Sequence, residues 1–170
     1  MKYHAVLDTN VIVSYFLTRN SASSIVKLID SFYKGLITPL FNDAIVNEYK
    51  DVLLREKFGI KEEDALSLIE DIKKNGINCQ SKPVSEVFPD PDDIIFYEVA
   101  LSREDSYLVT GNLKHFPKNG RVVSPKDMLD IIAFGELRSD TLSDTEPPLY
   151  LSIPLEEINA IISEVRRARL

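Results

Sequence analysis

The chain has 170 residues, of which 44% are apolar and 28% charged, a composition that suits one compact domain with a buried core plus an appendage. Its net charge of −7, from 20 basic and 27 acidic residues, argues against a protein that coats nucleic acid through basic patches. That charge does not exclude a nuclease whose acidic site meets phosphate through metal ions.

Tyr3 to Leu7 is a short apolar run ending in a polar turn and reads as a buried strand. From Ser21 to Lys34 the apolar residues Ile25, Leu28, Ile29 and Phe32 follow the helical period, and Gly35 stands just past the end as a natural stop. Leu36 to Phe41 is a second strand. Asn42 then caps a helix to about Arg55, with Ile45, Tyr49, Val52 and Leu53 on one stripe. Glu62 to Lys74 is a third helix, acidic in its first turn and basic in its last, and Ile77 to Val84 contains a short strand.

Asp90-Pro91-Asp92 marks a turn before an apolar helix over Ile94 to Leu101. Tyr107 to Thr110 and Arg121 to Val123 read as strands. Ser124-Pro125 starts a helix with Asp127 three residues after the cap, an imperfect capping box, and that helix stops near Gly135. Strands alternating with helices imply an α/β fold on a mainly parallel sheet. Ser139 to Pro148 is polar and ends in Pro-Pro, which reads as a linker to an amphipathic helix over Pro154 to Arg169. The expected division is therefore a domain over residues 1–138 and a linker with a C-terminal helix over 139–170. That helix either folds back on its own domain or swaps into a second subunit, giving a homodimer.

The single cysteine, Cys79, excludes an intrachain disulfide framework and suits a reducing cytoplasm. No apolar run reaches the length of a membrane span, and the N-terminus lacks a signal-peptide pattern. The expectation is a cytoplasmic protein without membrane contact.

Ligands of open α/β sheets bind outside the carboxyl ends of the strands. Asp8 follows the first strand, and Asn112 follows the strand ending near Thr110. If those strands are neighbours, both side chains face one pocket. Glu48 falls at the edge of its helix's inward stripe, where a carboxylate is costly without a positive partner; helical spacing supplies none, and a metal ion would. Asp93 opens an almost wholly apolar helix beside Asp90 and Asp92. Clustered carboxylates repel one another, and a divalent cation relieves the repulsion. Oxygen ligands favour Mg²⁺ or Mn²⁺ over zinc, for which two histidines and one cysteine leave little provision. Each residue also has a plain structural reading: Asp93 as a helix cap, Glu48 snorkelling to solvent, Asn112 and Asp90 as turn residues.

Four segments in order, Val6-Leu7-Asp8-Thr9-Asn10-Val11, Asn47-Glu48-Tyr49 with Val52-Leu53, Asp90-Pro91-Asp92-Asp93, and Leu108-Val109-Thr110-Gly111-Asn112-Leu113-Lys114-His115-Phe116-Pro117, resemble PIN-domain proteins. The nearer likeness is to VapC-like putative toxins of bacterial toxin–antitoxin systems. The resemblance spans about residues 2 to 134. It implies a three-layer α/β/α fold, metal-dependent cleavage of single-stranded RNA, and silencing by a cognate antitoxin protein. The family's acidic positions carry over to Asp8, Glu48 and Asp93. A fourth acid often follows the Thr-Gly; here Asn112 holds that place, which puts a second metal ion in doubt.

The resulting expectation is phosphodiester hydrolysis assisted by Mg²⁺ or Mn²⁺. Asp8 and Asp93 bind the ion, Glu48 binds a second ion or positions the attacking water, and Asn10, Thr110 and Asn112 orient these groups or a phosphate. Lys114, His115 and Arg121 are candidates for contact with the RNA backbone, against the plainer reading of solvated loop charges. Two rivals stand beside this reading. A phosphatase with an aspartyl nucleophile needs an acid two residues after it, where Asn10 stands. A degenerate PIN domain acting as a binding or scaffold module is favoured by Asn112.

Overall fold

In the computed structural model, residues 2–136 and 153–168 are described. The first strand, β1 (Tyr3–Leu7), buries Ala5, Val6 and Leu7 and lies at the centre of a five-stranded sheet. Parallel neighbours flank it: β2 (Ile37–Phe41), with Tyr3 opposite Ile37, and β4 (Ser106–Val109), with Leu7 opposite Val109. Beyond these lie β3 (Ile77–Asn78) and β5 (Val122–Val123), so the order is β3-β2-β1-β4-β5 and every pairing is parallel. Parallel strands need crossovers, and helices supply them.

The helices follow from local signals. In α2 (Ser24–Tyr33) the Ser23 side chain accepts from the Val26 N–H, and the chain leaves at Gly35 with φ 73°, a left-handed turn open to glycine. Asn42 caps α3 (Asp43–Leu53), its side-chain oxygen accepting from the Ile45 N–H at 2.9 Å. The acid-to-base polarity of α4 (Glu62–Asn75) complements its dipole. A single-turn 3-10 segment, Pro91–Asp93, leads into α5 (Ile94–Ala100). At the start of α6 (Pro125–Glu136) the capping box closes fully, with Ser124 N donating to Asp127 Oδ2 and Asp127 N donating to Ser124 Oγ.

Two elements depart from expectation. The strand expected within 77–84 covers only Ile77 and Asn78; its ladder ends where Cys79 N donates to Phe41 O at 2.7 Å, and Pro83 soon follows. A helix not foreseen, α1 (Thr9–Leu17), follows β1 directly. Thr9 through Ser14 are buried without a break, so this helix has no polar face and no periodicity by which to recognise it.

The reason is α7 (Leu155–Arg167), which covers α1 and α3. Ile158, Ile161, Ile162 and Val165 join the main core, each at most 5% exposed. The C-terminal helix thus packs on its own domain, which is one of the two expected arrangements; the expected linker, Ser139 to Pro148, lies outside the described residues. No helix among the described residues is long and apolar enough to cross a membrane.

The cap on α3 gives a direct test of local encoding, because that helix also carries Glu48. Replacing Asn42 by Ala should cost about 1 kcal/mol, read as a lower urea midpoint at unchanged m-value.

Candidate functional site

The strand order reverses direction at the junction of β1 and β4, the place where the loops leaving two adjacent parallel strands diverge and open a crevice. Asp8 leaves β1 there and Thr110 leaves β4. The Asp8 N–H donates to Val109 O at 2.9 Å, so the two exits are stitched together.

A small hydrogen-bonded unit follows from that stitch. Asp8 Oδ2 accepts from the Thr110 hydroxyl at 2.6 Å and from Asn10 Nδ2 at 3.1 Å. Asn10 Oδ1 in turn accepts from Gly111 N at 3.0 Å, and Thr110 Oγ1 accepts from Asn112 N at 2.9 Å. Asp8, Asn10 and Thr110 are all buried. A Cβ at Gly111 would lie 3.3 Å from Asn10 Oδ1 and 3.4 Å from a methyl of Leu155 in α7, so the loop passes under α7 with room for glycine and little more.

Glu48 approaches from α3 and is fully buried. The Thr9 hydroxyl donates to its Oε1 at 2.6 Å. Asp93 comes from the start of α5. It makes no side-chain cap hydrogen bond to that helix, which removes the simplest structural role for it. Its Oδ2 lies instead 2.8 Å from His115 Nδ1. Asp90, the expected turn residue, is that and more: Oδ1 accepts from Asp92 N at 3.1 Å, while Oδ2 turns into the site.

What these carboxylates meet is a side chain absent from the residues that the sequence singles out. Arg166, near the end of α7 and 4% exposed, places its guanidinium among them. Nε donates to Glu48 Oε2 at 3.1 Å and Nη2 to Glu48 Oε1 at 2.8 Å, a two-pronged pairing. Nη1 donates to Asp90 Oδ2 and to Asp93 Oδ1, each at 2.7 Å. The guanidinium also lies over the Phe96 ring, 5.9 Å from its centroid. The positive partner demanded by Glu48 is therefore present as a guanidinium of the same chain. Burial alone would lower the Arg166 pKa, but the hydrogen bonds and charges of Glu48 and Asp93 raise it above the usual arginine range.

Asp8, Asn10, Asp93, Asn112 and His115 line one small cavity closed on its other side by α7. The cavity volume is about 10 Å³, room for one water at most. Among the described residues, no three carboxylate, imidazole or thiol groups already surround a point where an ion would sit; the guanidinium separates Glu48 from Asp93. Of the residues expected to touch RNA, His115 reaches the cavity rim and Lys114 is exposed beside it. Arg121 is not brought to the site: its Nη1 donates to Arg103 O at 2.7 Å, in the segment that precedes β4.

The electrostatics single out Asp8. Burial, and then the nearby Asp93 charge, raise its pKa from an ordinary 3.8 to about 7, against the lowering effects of the Thr110 hydrogen bond and Arg166. The folded chain thus binds a proton that the unfolded chain has lost between these two values. Stability from this residue is greatest at acid pH and is lost as pH rises toward 7. Asp8→Asn should then stabilise the ion-free protein by roughly 1–3 kcal/mol at pH 8 and much less at pH 4. Denaturation curves in a chelating buffer at both pH values check this; an equal effect at the two would show that Asp8 is not under strain from burial.

No curated protein and no solved structure matches the chain in comparison. The family model for the PIN domain matches residues 4–114, a stretch that holds Asp8, Glu48, Asp93 and Asn112 and ends before α7. With the all-parallel five-stranded sheet and the acidic edge at its centre, this match shows that the chain belongs to the PIN-domain family, whose members are generally nucleases.

Proposed function

We propose that this PIN domain is a Mg²⁺- or Mn²⁺-dependent endoribonuclease for single-stranded RNA, acting as the toxin half of a toxin–antitoxin pair. The observation that supports it best is the presence of three buried acids from separate elements at the carboxyl edge of the sheet, Asp8 and Asp93 lining one cavity and Glu48 joined to Asp93 through Arg166.

The donor chemistry fits a hard divalent ion: the charged donors are carboxylate oxygens, with one imidazole behind Asp93. The raised proton affinity of Asp8 comes first from burial and then from the Asp93 charge, and a cation beside the carboxylate would offset both. In this reading Asp8, Glu48 and Asp93 hold the ion. When bound, it acidifies the attacking water and offsets charge on the phosphate. The remaining work falls to neighbouring side chains. Thr110 and Asn10 fix the Asp8 carboxylate, Thr9 fixes Glu48, and His115 fixes Asp93. The Asn112 amide, at the cavity wall, orients the water or a phosphate oxygen, and Lys114 meets the RNA backbone. Since water is the nucleophile, the ribose 2′-hydroxyl is not consumed, and the products carry 5′-phosphate and 3′-hydroxyl ends. The toxin role and its antitoxin partner rest on the sequence resemblance.

A second reading, an inactive PIN domain used for binding, has two observations in its favour: Asn112 in place of an acid, and a guanidinium within the acidic site. Cleavage of single-stranded RNA in millimolar Mn²⁺ separates the two. Wild-type protein should cut, and Asp8→Asn or Asp93→Asn should lower the rate by roughly 100-fold or more. Equal rates for all three proteins would sink the nuclease reading at this site.

A further inference from the structure

We propose that α7 is an inhibitory helix acting within its own chain: Arg166 holds the space between Glu48, Asp90 and Asp93, so guanidinium docking and divalent-cation binding exclude each other. This rests on the reading of Asp8, Glu48 and Asp93 as the cation site.

Three observations carry it. The guanidinium donates four hydrogen bonds of 2.7–3.1 Å to three carboxylates, which leaves Glu48 with both oxygens engaged and Asp93 with one oxygen on Arg166 and the other on His115. An ion shared by Glu48 and Asp93 needs the place that the guanidinium holds, so the Arg166 bonds must be given up, while the Thr9 and His115 bonds can stay. The cavity that remains, about 10 Å³, admits no phosphodiester. Finally, α7 lies outside residues 4–114 matched by the PIN domain, so the blocking group comes from beyond the matched segment.

The position of Arg166 makes the block reversible. It is the second-to-last residue of α7. The anchors Ile158, Ile161 and Ile162 lie one to two turns earlier and are held in the core. Unwinding of the final turn withdraws the guanidinium and lifts Val165 from the core while those isoleucines stay seated, and helix ends are where opening begins most readily. A cation that binds the vacated carboxylates then selects the opened form in proportion to its differential affinity.

The test uses the full chain as wild type and as Arg166→Ala, with Mn²⁺ as the probe. Calorimetry should show Mn²⁺ binding roughly tenfold tighter or more in Arg166→Ala. Removing a positive charge would by itself strengthen binding, so hydrogen exchange in wild type is the deciding measurement. Saturating Mn²⁺ should speed amide exchange across residues 164–167 by roughly fivefold or more and leave β1 and β4 unchanged. Binding of Mn²⁺ to wild type with no change in exchange over 164–167 would overturn mutual exclusion and leave the metal site standing. Absence of binding in both proteins would overturn the metal site itself, and this inference with it. If Arg166→Ala does not fold, the wild-type exchange experiment decides alone.

Discussion

The constraint on which this structure turns is the charge gathered at the carboxyl edge of β1 and β4. Asp8, Glu48 and the pair Asp90 and Asp93 arrive there from three widely separated stretches of chain, and Asp8, Glu48 and Asp93 are nearly inaccessible to water. Carboxylates in that arrangement repel one another and lose hydration together. Something positive must stand among them, or some must hold protons. Both remedies are present. Arg166 compensates Glu48, Asp90 and Asp93 directly, while the Asp8 pKa is lifted to about 7.

The fold is organised around tolerating that burden. The hydroxyls of Thr9 and Thr110 and the amide of Asn10 give the buried oxygens their hydrogen bonds. The Tyr49 hydroxyl donates to Leu7 O at the end of β1, tying α3 to the strand that delivers Asp8. Such a network holds only when complete, because removing one member of a buried ion pair leaves the other uncompensated, a loss of about 3–5 kcal/mol. A stable core could be built more simply from apolar residues. The accumulation of acids at the one edge where a parallel sheet opens is therefore an argument from function, and membership of the PIN family gives that argument its direction.

Much of this is legible in the sequence, for identifiable reasons. Strands β1, β2 and β4 are short apolar runs with clear ends, and α2, α3 and α4 carry both end signals and periodicity. Asp8 and Asn112 are marked by standing immediately after strands, and Glu48 by its phase on α3. The failures have equally local causes. Helix α1 is buried through most of its length and shows no amphipathic signal. Asp90 looks sufficient as a turn residue because it does make the turn, and only its second oxygen reaches Arg166. Arg121 attracts notice by its charge and its nearness in sequence to Lys114 and His115, whereas its guanidinium is bonded to Arg103 O. Arg166 lies 118 residues from Glu48, beyond the reach of spacing. One signal for it exists: four residues after Ile162 and eight after Ile158, it stands on the apolar stripe of α7, where an arginine requires buried acids opposite.

Asn112 bears on how a single guanidinium manages to close the site. An acid at that position would face the same cavity as Asp8 and Asp93 and would add a charge that Arg166, already committed to three carboxylates, has no geometry to meet. A neutral amide adds polarity without that charge. The substitution that weakens the case for a second metal ion thus also favours occupation by one internal cation. The Asn112 amide and the C-terminal arginine in the acidic pocket are then parts of one electrostatic arrangement, in which the charge the pocket presents is matched to what the chain itself supplies.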